Sequence, residues 1–403
     1  MRNVTTIKNC YGCGVCAACC GKKIIKIRLN ENGFYAPYID DTEKCTGCGI
    51  CLDVCAFNHK ERALVPEKVQ IKSWAAWSND DTVRRKCSSG GIGFEIGKQL
   101  IKQGYYAVGC RYDIEEHRVE HYISTTVEEY AQSIGSKYIQ SYTEKAFKQI
   151  ELRGQKFLVT GTPCQIDSFR RMIRRFNCED NFILMDFFCH SVPSMHAWRA
   201  YIKMLEPKIG KVTYASWRNK VEYRRHGSLF IGIDGEKTSK PINWHDSYNM
   251  ILKGGKASIQ SRMSRGDLFY KLFLGDICLG SQCEINCKYK YDKSSADIRI
   301  GDLWGKTYKD NEKGVSALVT FTEKGRQVVD SLIDVTLVEH PFELVSEGQM
   351  KENACAKEVK PIIMWALRNG IPLNCFVYKF FILTQKIIDK IKVIRILSKN
   401  KID

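Results

Sequence analysis

Several signatures that would assign this chain quickly are missing from it. There is no P-loop and no nucleophile elbow, so neither P-loop nucleotide hydrolysis nor serine acyl transfer is indicated. The C-x3-C-x2-C triplet of radical chemistry on S-adenosylmethionine is absent. No G-x-G-x-x-G turn follows a strand signal, which removes the common dinucleotide fingerprint. Basic residues outnumber acidic ones, 62 to 45, for a net charge of +17. They are spread along the whole chain, with no nucleic-acid motif and no interleaving of arginine with aromatics, so nucleic acid is not an expected partner. The opening MRNVTTIKNC is polar and reaches a cysteine at residue 10, and no secretory signal is expected. Nineteen cysteines then point to a reducing cytoplasm, where thiols serve metals instead of disulfides.

Cysteine is what the chain has in excess. Two runs share one internal spacing, Cys10-x2-Cys13-x2-Cys16-x3-Cys20 and Cys45-x2-Cys48-x2-Cys51-x3-Cys55. That spacing suits two cubane 4Fe-4S clusters, with the fourth cysteine of each run crossing to the other cluster. The expected sets are Cys10, Cys13 and Cys16 with Cys55, and Cys45, Cys48 and Cys51 with Cys20. The runs also repeat each other as CYGCGVC and CTGCGIC, with glycines that let backbone amides turn toward cluster sulfurs. Cys19 offers a second register but lacks an x3 partner, and it reads as a bystander. Zinc is the competing reading, yet a tetrahedral site takes separated pairs of ligands, not three cysteines in seven residues. Gly21 and Ala56 stand where a proline often follows the fourth cysteine, which touches the turn more than the ligation.

At 403 residues, 44% hydrophobic and 11% aromatic, the chain has the material for two or three domains with a real core. The reading is an α+β ferredoxin-like two-cluster domain at residues 1–65, an α/β domain at 66–345, and a basic amphipathic helical tail at 346–403. Pro66 and EKVQIKSW read as the linker. Beyond it, strand and helix signals alternate: Phe157–Thr160, then a helix with Ile166, Phe169 and Ile173 on one face, then Phe182–Met185, then HAWRAYIKML. CSSGG at 87–91 precedes a helix whose Ile92, Ile96 and Leu100 share a face and whose stop signal is Gly104. A loop opening a helix suits a pyrophosphate, and equally a tight turn packed under that helix. GTPCQ at 161–165 and FCHS at 188–191 also sit at strand ends, where open α/β sheets bind ligands.

Together CSSGG, GSKYIQS at 135–141, TGTPCQI, DFFCHSVPS and ADIRIGDLWG resemble, in that order, the beta-subunit family of coenzyme F420 hydrogenase and dehydrogenase. The likeness runs from residue 10 to about 305. It implies FAD bound at Ser88, Ser89, Gly90, Gly91, Gly135, Ser136, Lys137 and Tyr138, with Thr162, Pro163 and Gln165 near its ring. A third 4Fe-4S cluster is expected on Cys164, Cys189, Cys283 and Cys287, with Cys278 as substitute. Relatives look to carry a C-x2-C pair there, whereas here Glu284 holds its first position. Buried apolar thiols are the alternative for these cysteines. His190 and Asp302 are the candidate catalytic groups, for proton supply or flavin orientation.

The activity implied is a flavin-dependent iron–sulfur oxidoreductase. Electrons would pass from ferredoxin or a reduced deazaflavin to an unidentified organic acceptor, in surface-polysaccharide metabolism by association with relatives. The alternative is a non-catalytic electron-transfer subunit of a larger complex. In the tail, Phe380, Leu383, Ile387, Ile391 and Ile394 recur at helical spacing among Lys379, Lys386, Lys390, Lys392, Arg395 and Lys399. Charges interrupt the run too often for a transmembrane helix. Peripheral contact with a membrane and a helix packed on the domain remain equal readings.

Overall fold

The fold is seen in a computed structural model, which describes residues 3–220, 230–238, 259–261 and 266–399. The N-terminal segment holds a two-stranded antiparallel sheet, β1 (Ile25–Leu29) and β2 (Tyr35–Ile39). Two four-residue helices flank it, α1 (Val15–Ala18) and α2 (Ile50–Asp53), each inside one cysteine run. The repeat seen in the sequence is a repeat of backbone geometry. Gly12 and Gly14 have φ of 66° and 77°, and Gly47 and Gly49 have 68° and 76°. Gly14 and Gly49 start the two helices in the left-handed region, which glycine enters without the Cβ penalty.

The next strands are β3 (Lys72–Ser78), β4 (Tyr106–Asp113), β5 (Arg118–Ser124), β6 (Ser141–Tyr142), β7 (Phe157–Thr160) and β8 (Phe182–Phe187). After them come β9 (Val212–Asn219), β10 (Phe230–Gly235), β11 (Ile259–Ser261), β12 (Ile298–Asp302), β13 (Ser316–Thr320) and β14 (Val335–Glu339). Nine of these form one sheet in the order β14-β3-β13-β12-β8-β7-β4-β5-β6. Its centre, β12-β8-β7-β4, is parallel, while the neighbours β13, β3, β14 and β5 pair antiparallel. The sheet is therefore mixed, not the fully parallel doubly wound form. β9, β10 and β11 make a separate three-stranded sheet. The main helices are α3 (Ile92–Lys102), α4 (Pro163–Arg175), α5 (Met195–Ile209), α6 (Lys360–Arg368) and α7 (Phe376–Lys399).

Period-two alternation decides the two faces of the sheet. Phe157, Val159, Phe182 and Leu184 point to one face, and Leu158, Ile183 and Met185 to the other. On that second face sit Ile92, Ile96 and Leu100 of α3, as its spacing predicts. The first face is covered by α4 through Ile166, Phe169 and Ile173, and also by Val15, Ile25, Ile27 and Tyr35 of the N-terminal segment. Residues 3–65 thus share a core with the large sheet and are not tethered by a free linker. Polar contacts reinforce the seam. Thr143 Oγ1 donates to the Cys13 carbonyl (2.9 Å), the Ile27 amide donates to Glu144 (2.7 Å), and the Tyr35 amide donates to Gln140 (2.8 Å). The expected linker is correspondingly short, because Lys72, Ser73 and Trp74 already belong to β3, deep in the sheet.

Candidate functional site

The fold gathers the twelve singled-out cysteines into three neighbouring groups. Cys10, Cys13, Cys16 and Cys55 line one cleft of about 370 Å³, walled mainly by apolar groups including Val4, Ile7, Pro37 and Phe57. This is the crossed set that the spacing predicts, three sulfurs from the first run and one from the second. Cys51 lies within electrostatic reach of Cys48, Cys20 and Cys45, which is the reciprocal set. Cys48 is exposed, so the second group is nearer the surface than the first.

Burial pushes the Cys10 thiol up to about 12 and the Cys55 thiol up to about 11, and it raises Cys16 well above its usual value. Four buried thiolates are costly unless positive charge sits among them, and ferric and ferrous iron supply that charge. The Gly12 amide already points at Cys10 Sγ at 3.4 Å, and the Cys13 thiol lies 3.3 Å from Ser168 Oγ. Ser168 also accepts from the Ala56 amide at 3.0 Å, fixing the turn after Cys55. Among the described residues no three His, Cys, Asp or Glu side chains close on one point as a single metal ion requires. Thiolates around a cube are spread over its corners, so the donor set fits a cluster better than zinc. Cys19 stays out of the first cleft, with its thiol donating to the Cys16 carbonyl at 3.4 Å.

The third group is assembled from distant segments. Cys164 lies in the first turn of α4 with Thr162 Oγ1 at 3.1 Å, and it feels the charge of Cys283, Cys189 and Cys13. Cys283 in turn neighbours Cys189 and Cys287. Burial raises Cys189 to about 11 and Cys283 to about 12. Tyr11, Cys164 and Cys287 pack into one apolar cluster, so the cysteine run at residue 10 abuts this group directly. Cys278 is elsewhere, fully buried in the core around α5, and so the expected substitute is not positioned to serve. Glu284 forms an ion pair with Lys360.

Cys189 is held by a buried frame that motif reading missed. Arg299 on β12 forms a two-point pair with Asp186 on β8, Nε to Oδ1 and Nη2 to Oδ2, both at 2.7 Å. All of it is inaccessible to solvent. Arg299 Nη1 also donates to the Tyr291 carbonyl at 2.7 Å, while Lys290 Nζ donates to the Cys189 carbonyl at 2.8 Å. The loop bearing Cys287 and the strand end bearing Cys189 are thereby locked together.

A second cleft is lined by Ser88, Ser89, Arg218, Lys220, Asp302, Trp304 and Gly314 among others. The Ser136 amide donates to Ser88 Oγ at 2.8 Å, which joins the CSSGG and GSKY loops as expected. Arg218 pairs with Asp302, donates to Tyr138 Oη at 3.3 Å, and lies 5.3 Å from the centre of the Trp304 ring. Burial opposes the Arg218 charge, but Asp302 and Tyr138 outweigh it and hold its pKa up. Lys220 Nζ donates to the carbonyls of Arg84 (2.6 Å) and Lys313 (2.7 Å) and also to that of Ser89; burial lowers it to about 8. Two buried cations, an indole face and serine hydroxyls suit an anionic aromatic cofactor such as a flavin dinucleotide. Arg218 and Lys220 were not singled out in the sequence, since isolated basic residues at a strand end carry no motif.

The remaining candidates divide. Gly90 and Gly91 form the tight turn: a Cβ on Gly90 would lie 2.4 Å from the Ala76 carbonyl oxygen, and the Gly90 amide donates to Ser316 Oγ. The first turn of α3 is occupied by the buried Glu95, which accepts from Ser78 at 2.7 Å and disfavours a phosphate there. Lys137 Nζ turns back on its own loop, donating to the carbonyls of Ser133, Ile134 and Gly135. Thr162, Pro163 and Gln165 build the start of α4, where the Thr162 amide donates to Gln165 Oε1 at 2.8 Å. They flank Cys164 and are not among the lining residues of the second cleft. His190 pairs with Asp276 at 2.8 Å and packs edge-on to Phe273, which also touches Tyr138. An aromatic path thus leads from the loop after Cys189 to the cleft with Asp302.

A mixed α/β sheet carrying grouped thiols and a cationic cleft at its loops describes a redox protein. Residues 154–341 match the family model for the C terminus of the coenzyme F420 hydrogenase/dehydrogenase beta subunit, and this stretch of the chain is similar to that family. The similarity supports an oxidoreductase-type, electron-transferring role in general. CSSGG and GSKYIQS precede the matched stretch, which is narrower than the likeness read from motifs. Among solved structures, similarity is found to a chain of the xenon-derivatised F420-reducing [NiFe] hydrogenase complex from Methanosarcina barkeri. The identity is 14%, the coverage 78% of this chain and 91% of that chain, and the TM-score 0.44. The comparison with curated proteins gave no match.

Proposed function

We propose that this chain is an iron–sulfur flavoprotein oxidoreductase that takes electrons from ferredoxin or a reduced deazaflavin and delivers them to an organic acceptor. The observation that carries this is the contiguity of the three cysteine groups, reaching from the exposed Cys48 inward to Cys189. When bound, 4Fe-4S clusters would carry electrons singly and FAD would convert them to a pair. Cys20, Cys45, Cys48 and Cys51 would hold the outer cluster, where a donor can approach. Cys10, Cys13, Cys16 and Cys55 would hold the next. Cys164, Cys189, Cys283 and Cys287 would hold the innermost.

The other residues have supporting tasks. Ser88, Ser89, Arg218 and Lys220 would bind the flavin's anionic part, and Trp304 would cover apolar surface. Asp302 holds Arg218 in place, while His190, half-buried beside Asp276 in the loop after β8, would supply protons. The exposed outer group would serve a docking partner as readily as a soluble donor, which keeps an electron-transfer subunit as the second reading. Surface-polysaccharide metabolism rests on association alone, and a cytoplasmic setting follows from the need to keep these thiols reduced.

Anaerobic purification tests the proposal. A yellow-brown protein releasing FAD, with about twelve irons per chain, supports it. A flavin-free protein overturns the oxidoreductase reading, and a flavin-loaded one that reduces small acceptors only beside a partner favours the subunit.

A further inference from the structure

The terminal helix α7 is fixed to the body by one face only. Tyr378, Ile382 and Gln385 are buried, and Tyr378 Oη donates to the Ile371 carbonyl at 2.9 Å. Gln385 ties the helix down at both ends of its amide. It accepts from the Val359 amide at 3.2 Å and donates to Glu358 at 2.6 Å. At about 100° per residue these positions cluster on one side of the helix. Phe376, Phe380, Leu383, Ile387, Ile391 and Ile394 fall roughly opposite, and all are exposed, Leu383 at 57% and Ile387 at 51%.

A face so apolar on a monomer is costly unless something covers it. Its charge says what. Lys379, Lys386 and Lys390 run along one flank of the stripe, all exposed, while Lys392 turns back toward the body and pairs with Glu358. The single acid of the helix, Asp389, is turned toward the body, where it pairs with Lys357 and accepts from Gln385. A second copy of this chain would present the same basic rows and repel them. No helix among the described residues is long and apolar enough to cross a membrane. An apolar stripe bordered by lysines and held outward on a rigid body matches a bilayer interface instead.

The geometry points to α7 as an in-plane anchor on an anionic lipid bilayer, with the stripe from Phe376 to Ile394 entering the headgroup boundary and the flanking lysines meeting lipid phosphates. The inference goes beyond the redox reading and stands or falls without it.

The test is flotation of the full chain with vesicles of phosphatidylcholine alone or with about a third phosphatidylglycerol. Binding to the anionic vesicles should be about tenfold stronger and should weaken in high salt. The double variant Leu383→Glu, Ile387→Glu should stop floating while its thermal melt stays that of the parent, since both side chains already face water. Lys386→Gln and Lys390→Gln should each lower partitioning about fivefold on anionic vesicles. Absence of flotation by the parent, or equal flotation by the double variant, overturns the proposal. So does a concentration-dependent dimer that the double variant dissolves without any vesicle binding.

Discussion

The N-terminal cysteine runs and the third cysteine group bring four sulfurs together by opposite means. In the runs, positive-φ glycines and short helices place three thiols within seven residues, and only the fourth is borrowed from the sister run. In the third group no two cysteines are closer in sequence than Cys283 and Cys287, while Cys164 comes from the first turn of α4 and Cys189 from the loop after β8. The first arrangement depends on local backbone conformation. The second depends on the buried frame that holds the segments in register, above all the Arg299 and Asp186 pair.

The contrast breaks if the dispersed cysteines hold nothing. The largest expected effect is on iron: Cys283→Ser should lower the content from about twelve to about eight per chain, as should Cys16→Ser. Cys278→Ser and Cys19→Ala should leave it unchanged. Unaltered iron in Cys283→Ser removes the third site and leaves a two-cluster protein.

Next is the frame itself. Asp186→Asn leaves the Arg299 charge buried without its counter-ion, and unfolding free energy should fall by about 3–5 kcal/mol in urea titrations. A loss below about 1 kcal/mol would show that the dispersed group does not lean on this pair.

The two sister runs can be separated from each other by their glycines. Gly14 and Gly49 share their φ, yet a Cβ on Gly14 would lie 2.0 Å from Thr143 Oγ1, while nothing comes within 4 Å of one on Gly49. Gly49→Ala should cost about 1–2 kcal/mol from backbone strain alone. Gly14→Ala should cost clearly more, because it also pushes the seam with the large sheet apart. Equal shifts in melting temperature would mean that the seam yields easily.

The last effect is one of pH, inside the large sheet. His121 on β5 is buried against Phe147, its Nε2 3.0 Å from the Thr160 carbonyl, and burial lowers its pKa from 6.5 to about 4. Between those values the unfolded chain binds a proton that the folded chain does not. Stability from this group is therefore complete above pH 6.5 and lost as pH falls toward 4, about 2 kcal/mol by pH 5. Urea midpoints at pH 7 and 5 should diverge less in His121→Gln, and identical pH dependence in both proteins would assign the loss to other groups.

Much of the fold was legible in residue patterns. Ile92, Ile96 and Leu100, and Ile166, Phe169 and Ile173, occupy the buried helix faces that their spacing predicts, because a 3.6-residue period leaves one side for the core. The shared cleft of Cys10, Cys13 and Cys16 with Cys55 was legible too, since their spacing follows what a cluster would require. The stretch after Pro66 misled. Lys72–Trp74 looks polar and interrupted, but it pairs with β13 and β14 inside the sheet. The cleft was only half visible: Ser88, Ser89 and Asp302 sit in recognisable loops, while Arg218 and Lys220 arrive from β9 and its end with no local signature.

The sequence by itself determined the spacing and the turn geometry of the N-terminal runs, because cysteine and glycine positions are covalent facts about a dozen residues. It also determined the amphipathic period of the tail. Only the tertiary structure decided that Cys164, Cys189, Cys283 and Cys287 meet while Cys278 does not, and that the apolar stripe of α7 faces away from the body. Both outcomes turn on which faces of distant elements pack together. That choice is made by the summed burial of side chains such as Phe169, Phe182 and Tyr378, and no short motif encodes it.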